Sequence, residues 1–269
     1  MTGPSPYAPP SAEVFDAVEP AATGGEYLNP EGRNCPAGRG WRWYGEAWRI
    51  FKGQPFMWWL ALVIGFGGSM LLGLIPFVKL LTTALFPIIA AGIGSCARSV
   101  VREGRFKIGQ VFDGFRIRPA TLLIAGVIYL VVLSAAMGIV MLTFGASGLF
   151  DILFGGRADS HAASQMLVTM GAGFWIAYIF AFWIVATTIV FSPYLIQEHG
   201  VSAPQALLMS AKGCLKNIPA FLVSIFSFVV FAILATIPIG LGWLVLIPML
   251  FLMQYVAYRD IFLTDLPGA

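Results

Sequence analysis

The chain has 269 residues, 58% of them hydrophobic and 11% charged, with a mean hydropathy of +0.83 and a formal net charge of +3. Those proportions exclude a soluble globular domain and place the chain among integral membrane proteins. The apolar residues fall in runs of about 20, the length that crosses a ~30 Å hydrocarbon core, without the ~10-residue alternation of a transmembrane barrel.

Residues 1–38 contain seven of the seventeen prolines and five acidic residues, with few large apolar side chains. That composition buries too little surface to offset chain entropy, so a disordered tail is expected there. The tail carries no apolar core of the kind a cleavable signal peptide requires.

The same helical stripe precedes three prolines. Tyr44, Ala47, Trp48 and Phe51 lie before Pro55; Ile108, Val111, Phe112 and Phe115 before Pro119; Leu208, Ala211, Lys212 and Leu215 before Pro219. The offsets from the proline are the same each time and define one face of a helix. A long apolar run follows each proline. The expected fold is all-α and polytopic, with six transmembrane helices as three hairpins, each preceded by an amphipathic interfacial helix. Spans are expected near 55–75, 80–97, 119–144, 168–195, 219–237 and 241–258. The domain organisation is then a 1–38 tail, a 39–262 membrane domain built of repeats 41–98, 106–196 and 204–260, and a short 263–269 tail.

In-helix prolines recur in the even-numbered spans as Pro87, Pro193 and Pro248, each removing a backbone hydrogen bond and marking a candidate kink. The middle hairpin also carries an insertion around 145–167, with Asp151, Arg157, Asp159 and His161. Gly65, Ser69 and Gly73 form one ridge of small residues, and Ala91, Ser95 and Ser99 another. Such ridges let helices approach closely, and internal packing is the expected use.

All Lys and Arg residues except Lys79 and Arg157 fall on one side of the spans. By the positive-inside rule both termini are cytoplasmic. Arg42, Arg49, Lys52, Arg116, Arg118, Lys212 and Lys216 lie on or beside the three stripes, where they suit anionic lipid headgroups. Trp41, Trp43, Trp48, Trp58 and Trp59 cluster beside the first of these groups and read as an interfacial anchor belt.

No Asp, Glu, Lys, Arg or His lies inside a span. Intramembrane ionisable groups mark pumps, coupled transporters and hydrolysis within the bilayer, so those functions are not expected, and neither is an enzyme. Glu198-His199 reads as a solvated helix end rather than the start of a metal site, and Cys214 as an ordinary interfacial cysteine. Cys35, Cys96 and Cys214 show no metal or redox spacing. No cofactor and no nucleic-acid partner is expected.

The run Pro36-Ala37-Gly38-Arg39-Gly40-Trp41-Arg42-Trp43, followed by Ala47-Trp48-Arg49-Ile50-Phe51, Pro55 and Trp58-Trp59, resembles a family of uncharacterised six-span proteobacterial inner-membrane proteins. A looser similarity extends to the membrane domain of some glycerophosphodiester phosphodiesterases. The resemblance implies a bacterial inner-membrane location and no activity. The expected role is a non-enzymatic scaffold or accessory subunit that acts through anionic lipid, with a membrane-protein partner. The alternative is a passive channel or carrier for a neutral or lipidic solute along a pseudo-threefold axis.

Overall fold

The computed structural model describes residues 26–72, 78–154 and 172–265. A short strand β1 (Glu26–Leu28) leads to helices α1 (Arg39–Gly53), α2 (Pro55–Leu72) and α3 (Val78–Glu103). A 3-10 segment (Ile108–Phe112) and the single turn α4 (Asp113–Arg116) precede α5 (Pro119–Phe154). Then come α6 (Ala172–Ile189), α7 (Ser192–His199), α8 (Ala203–Lys216), α9 (Ile218–Thr236), α10 (Trp243–Phe262) and strand β2 (Leu263–Asp265).

Among the described residues, five segments are long and apolar enough to cross a membrane: Thr83–Glu103, Pro119–Thr143, Ala172–His199, Ile218–Thr236 and Trp243–Phe262. Pro55–Gly67 is apolar but shorter. The chain is an all-α membrane protein, and five of its described helices carry a proline in the first turn, where its missing N–H is no loss.

The spans are unequal partners. The α3 window is 72% buried and that of α10 50%, against 17% for α5, 28% for α6 and α7, and 22% for α9. Helix α3 packs on α2, α5, α7 and α10 and forms the centre of the bundle. The ridge of Ala91, Ser95 and Ser99 is buried inside it, and Gly65 of α2 faces Ile89 and Ile93. These small residues serve internal packing; Ser69 and Gly73 lie where side chains or backbone fall outside the described residues.

Each stripe meets a different fate. On α1, Tyr44, Ala47 and Phe51 are buried against α9 and α10, while Trp48 is exposed. The second stripe does not form one helix. Only Val111 of its four residues is buried; Phe112 and Phe115 are exposed. The reason is close backbone packing on α3. A Cβ on Gly92 would lie 2.0 Å from the Val111 carbonyl oxygen, and one on Gly114 2.0 Å from that of Ile88. The chain flattens onto α3 through those glycines instead of standing off on an apolar face. On α8 the stripe is reversed: Leu208 and Leu215 are exposed, and Ala206, Ser210, Gly213 and Cys214 face inward.

Other expectations are corrected. Residues 26–38, assigned by composition to the tail, belong to the folded body, and 263–265 do too. Strands β1 and β2 pair antiparallel, with Tyr27 opposite Thr264. The insertion near 145–167 begins as helix: α5 runs 36 residues, about 54 Å, well beyond the hydrocarbon thickness. The side chain of Asp151 and residues Arg157, Asp159 and His161 lie outside the described residues.

Candidate functional site

Helices α2, α5 and α9 begin, and α3, α7 and α10 finish, at one end of the bundle. Gln54 to Met57 share a shallow cleft with Gly104 to Phe106, the Arg118 guanidinium lies against Gly200, and Lys216 donates to the Gly32 carbonyl at 2.7 Å. Of the seven headgroup candidates, Arg42, Arg49 and Lys52 lie on α1, Arg116 and Arg118 just before α5, and Lys212 and Lys216 near the end of α8. Arg42, Arg49, Lys52, Arg116, Arg118 and Lys212 are exposed, and none makes an ion pair or side-chain hydrogen bond among the described residues. Lys216 is the exception, held by Gly32. Arg42 and Arg49 are seven residues apart and share a face of α1. Arg118 takes a left-handed backbone (φ 58°) and starts α5, its carbonyl accepting the Leu122 N–H at 3.1 Å.

The paired charges have another task. Glu26 accepts from Arg102 Nη2 at 2.9 Å and Arg259 Nη2 at 2.5 Å. Asp260 Oδ2 accepts from Arg39 Nε at 2.6 Å and from the Trp43 indole N–H at 2.8 Å. The Asp260 carbonyl accepts from Arg33, Nη2 at 2.7 Å and Nε at 3.0 Å. Buried Asn217 completes the seam: its Oδ1 accepts the Cys35 N–H at 2.6 Å, and its Nδ2 donates to the Arg33 and Gly213 carbonyls at 2.8 and 2.9 Å. These bonds strap residues 26–35 across the ends of α3, α8 and α10.

Local electrostatics follow. Burial raises the Glu26 carboxyl, but the hydrogen bonds and charges of Arg259 and Arg102 outweigh it and hold it below its ordinary range. Burial lowers the Arg39 guanidinium, and Asp260 more than restores it, leaving it above its usual value. Burial, reinforced by Asp260, pushes the Cys35 thiol up to about 11. Burial also raises the Cys214 thiol, whose Sγ lies 3.7 Å from the Thr187 carbonyl, so neither cysteine is an activated nucleophile. His199 Nε2 is 2.7 Å from the Tyr258 hydroxyl, and among the described residues no three His, Cys, Asp or Glu side chains converge as metal ligands.

The tryptophans divide. Trp43 and Trp58 are core residues, while Trp41 and Trp48 are exposed. Only the second pair fits the role of an anchor.

The kink candidates divide as well. Pro87 and Pro248 lie inside α3 and α10 and are buried. Pro193 instead occupies the first turn of α7, where no N–H is needed. The break lies just before it, at Val190 and Phe191. There Ser210 of α8 inserts a hydroxyl into the helix ladder. Its Oγ accepts the Phe191 N–H at 3.0 Å and donates to the Thr187 carbonyl at 2.6 Å. Ser192 Oγ covers the Ile189 carbonyl at 3.3 Å, the acceptor left free by the proline. Polar side chains thus satisfy the interrupted backbone, the condition for a broken helix at membrane depth.

Sequence reasoning overlooked Glu26, Asp260, Asn217 and Ser210. Asn217 offered a signal, standing directly before Ile218-Pro219 at a helix start; the others depend on contacts between distant segments.

Together the bundle and its basic end define a polytopic helical membrane protein with a strapped, cation-rich face. No protein family, curated protein or solved structure matches this chain.

Proposed function

We propose that the chain is a six-span, non-enzymatic protein of a bacterial inner membrane, built as three hairpins with both termini cytoplasmic. It acts as a scaffold or accessory subunit that gathers anionic lipid headgroups at its basic end. One observation carries this reading. Arg33, Arg39, Arg102, Lys107 and Arg259 each have an acidic partner, whereas six headgroup candidates have none among the described residues. Unpaired cations at a membrane surface each contribute about 1 kcal/mol of attraction to anionic lipid.

The test is lipid retention. The full chain is purified gently from native membranes, and co-purifying lipids and proteins are identified by mass spectrometry. Reversing Arg116 and Arg118 together with Lys212 to Glu is expected to lower retained anionic phospholipid severalfold while leaving membrane insertion intact. Unchanged lipid and unchanged partner recovery would overturn the proposal. A stoichiometric protein partner, lost in the charge-reversed variant, would identify the accessory role.

A further inference from the structure

Helix α6 stands apart from its neighbours on one side. Among the described residues it packs closely on α5, α7 and α8, and not on α3, α9 or α10. Two cavities occupy the gap. One of about 210 Å³ lies between α6, α9 and α10, with Trp183, Thr187, Ser224 and Met253 in its wall. The other, about 440 Å³, lies between α2, α3, α5 and α6, with Phe66, Phe86 and Tyr129 in its wall. Ala186, Val190 and Gln254 line both, so the two spaces meet at Gln254.

Three features mark this junction. First, the Gln254 amide and the Tyr129 hydroxyl make no hydrogen bond with any described residue. The half-buried Gln254 amide keeps accessible surface toward the apolar-walled space, so its polar atoms are open to a ligand there. Second, Val190 belongs to the break between α6 and α7, and irregular backbone at membrane depth is found where it lines a cavity. Third, among the described residues no Asp, Glu, Lys, Arg or His lines either space. Gln254 lies eight residues before the end of α10 at Phe262, about 12 Å along the helix. A charged headgroup drawn that deep would find no counter-charge.

We propose that Gln254 holds the uncharged head of a neutral acylglycerol of the diacylglycerol class. A primary amide presents a donor and an acceptor side by side, matching a free hydroxyl next to an ester carbonyl. The Tyr129 hydroxyl supplies a further donor from α5. The largely apolar walls receive an acyl chain, in volumes that fall at or just below the usual size of small-ligand pockets. The lipid reaches the junction sideways from the bilayer, through the gap between α6 and α9. This site is separate from the basic end and recognises the opposite kind of head.

The test uses the full chain in nanodiscs of phosphatidylcholine and phosphatidylglycerol carrying a small fraction of photoactivatable diacylglycerol. Crosslinked peptides are expected from α6 and α10, competed by unlabelled diacylglycerol and not by added phosphatidylglycerol. Gln254→Leu is expected to lower the labelling about tenfold, the worth of one or two hydrogen bonds. Ala186→Phe, which fills the junction without touching the amide, is expected to do the same. Lys212→Glu is expected to leave the labelling unchanged, separating this site from the headgroup face. Labelling confined to helices that do not line the two cavities, competition by phosphatidylglycerol, or equal labelling of wild type and both variants would overturn the proposal. If Gln254→Leu fails to fold, Ala186→Phe and the wild-type competition decide the matter.

Discussion

Helices α1 and α8 carry the same stripe at the same offsets from a following proline, and the fold uses them in opposite ways. Helix α1 turns Tyr44, Ala47 and Phe51 inward; α8 turns Leu208 and Leu215 outward and buries its small residues. In water only the first arrangement would be stable. In a bilayer the surroundings are as apolar as the core, so an apolar face has two acceptable partners and close packing decides between them. Gly213 decides for α8: a Cβ there would lie 2.5 Å from the Phe262 ring, so only a glycine face can approach α10 so closely. The indole N–H of Trp43, anchored on Asp260, decides for α1.

Substitutions on the two helices test this contrast. The largest effect is expected from Trp43→Ala, which empties a fully buried site and removes one of the hydrogen bonds to Asp260, at about 3–5 kcal/mol. Thermal unfolding in nanodiscs would show it; a loss near zero would mean that α1 rests on lipid after all. Asn217→Ala, just past α8, removes three bonds to backbone, two of them buried, and is expected to cost about 2–3 kcal/mol, with faster amide exchange at Cys35. Ser210→Ala, on the inward face of α8, leaves the Phe191 N–H and Thr187 carbonyl to rejoin or stay open. About 1–2 kcal/mol is expected, read as a lower unfolding midpoint. Leu208→Ala, on the outward stripe, is expected to change stability by under ~0.5 kcal/mol.

Acid offers a milder test of the strap that crosses the ends of α3, α8 and α10. The folded Glu26 carboxyl lies below its ordinary value of 4.5, so its contribution is complete above that pH and is lost as pH falls through the lower folded value. Wild type is therefore expected to exceed Glu26→Gln in unfolding midpoint at neutral pH, with the gap closing well below pH 4.5. A constant gap across that range would assign the effect to packing rather than charge.

The membrane class and most helix starts were legible in the sequence, because a run of apolar residues after proline has one stable form in lipid. Pro55 and Pro119 begin helices as expected, and Pro219 sits in the first turn of α9. Small ridges such as Ala91, Ser95 and Ser99 were legible for the same reason: close helix contacts need small side chains. The site was legible only in part. A search for charged groups within the spans passes over Gln254, a neutral amide whose meaning comes from the cavities around it. Composition likewise assigns residues 26–38 to a tail, since their ordering rests on Asn217, Asp260 and Arg259, each more than 180 residues away in the chain.

By itself, then, the sequence determined that the chain lives in a membrane and where most of its helices begin. Backbone hydrogen bonding in lipid and the periodicity of the helix leave little choice on those points. Tertiary structure alone decided which stripe faces the core, that Ser210 interrupts one helix, and that α6 stands off far enough to leave Gln254 beside open space. Those outcomes depend on the shape match between distant surfaces, and in an apolar solvent hydrophobicity does not encode that match.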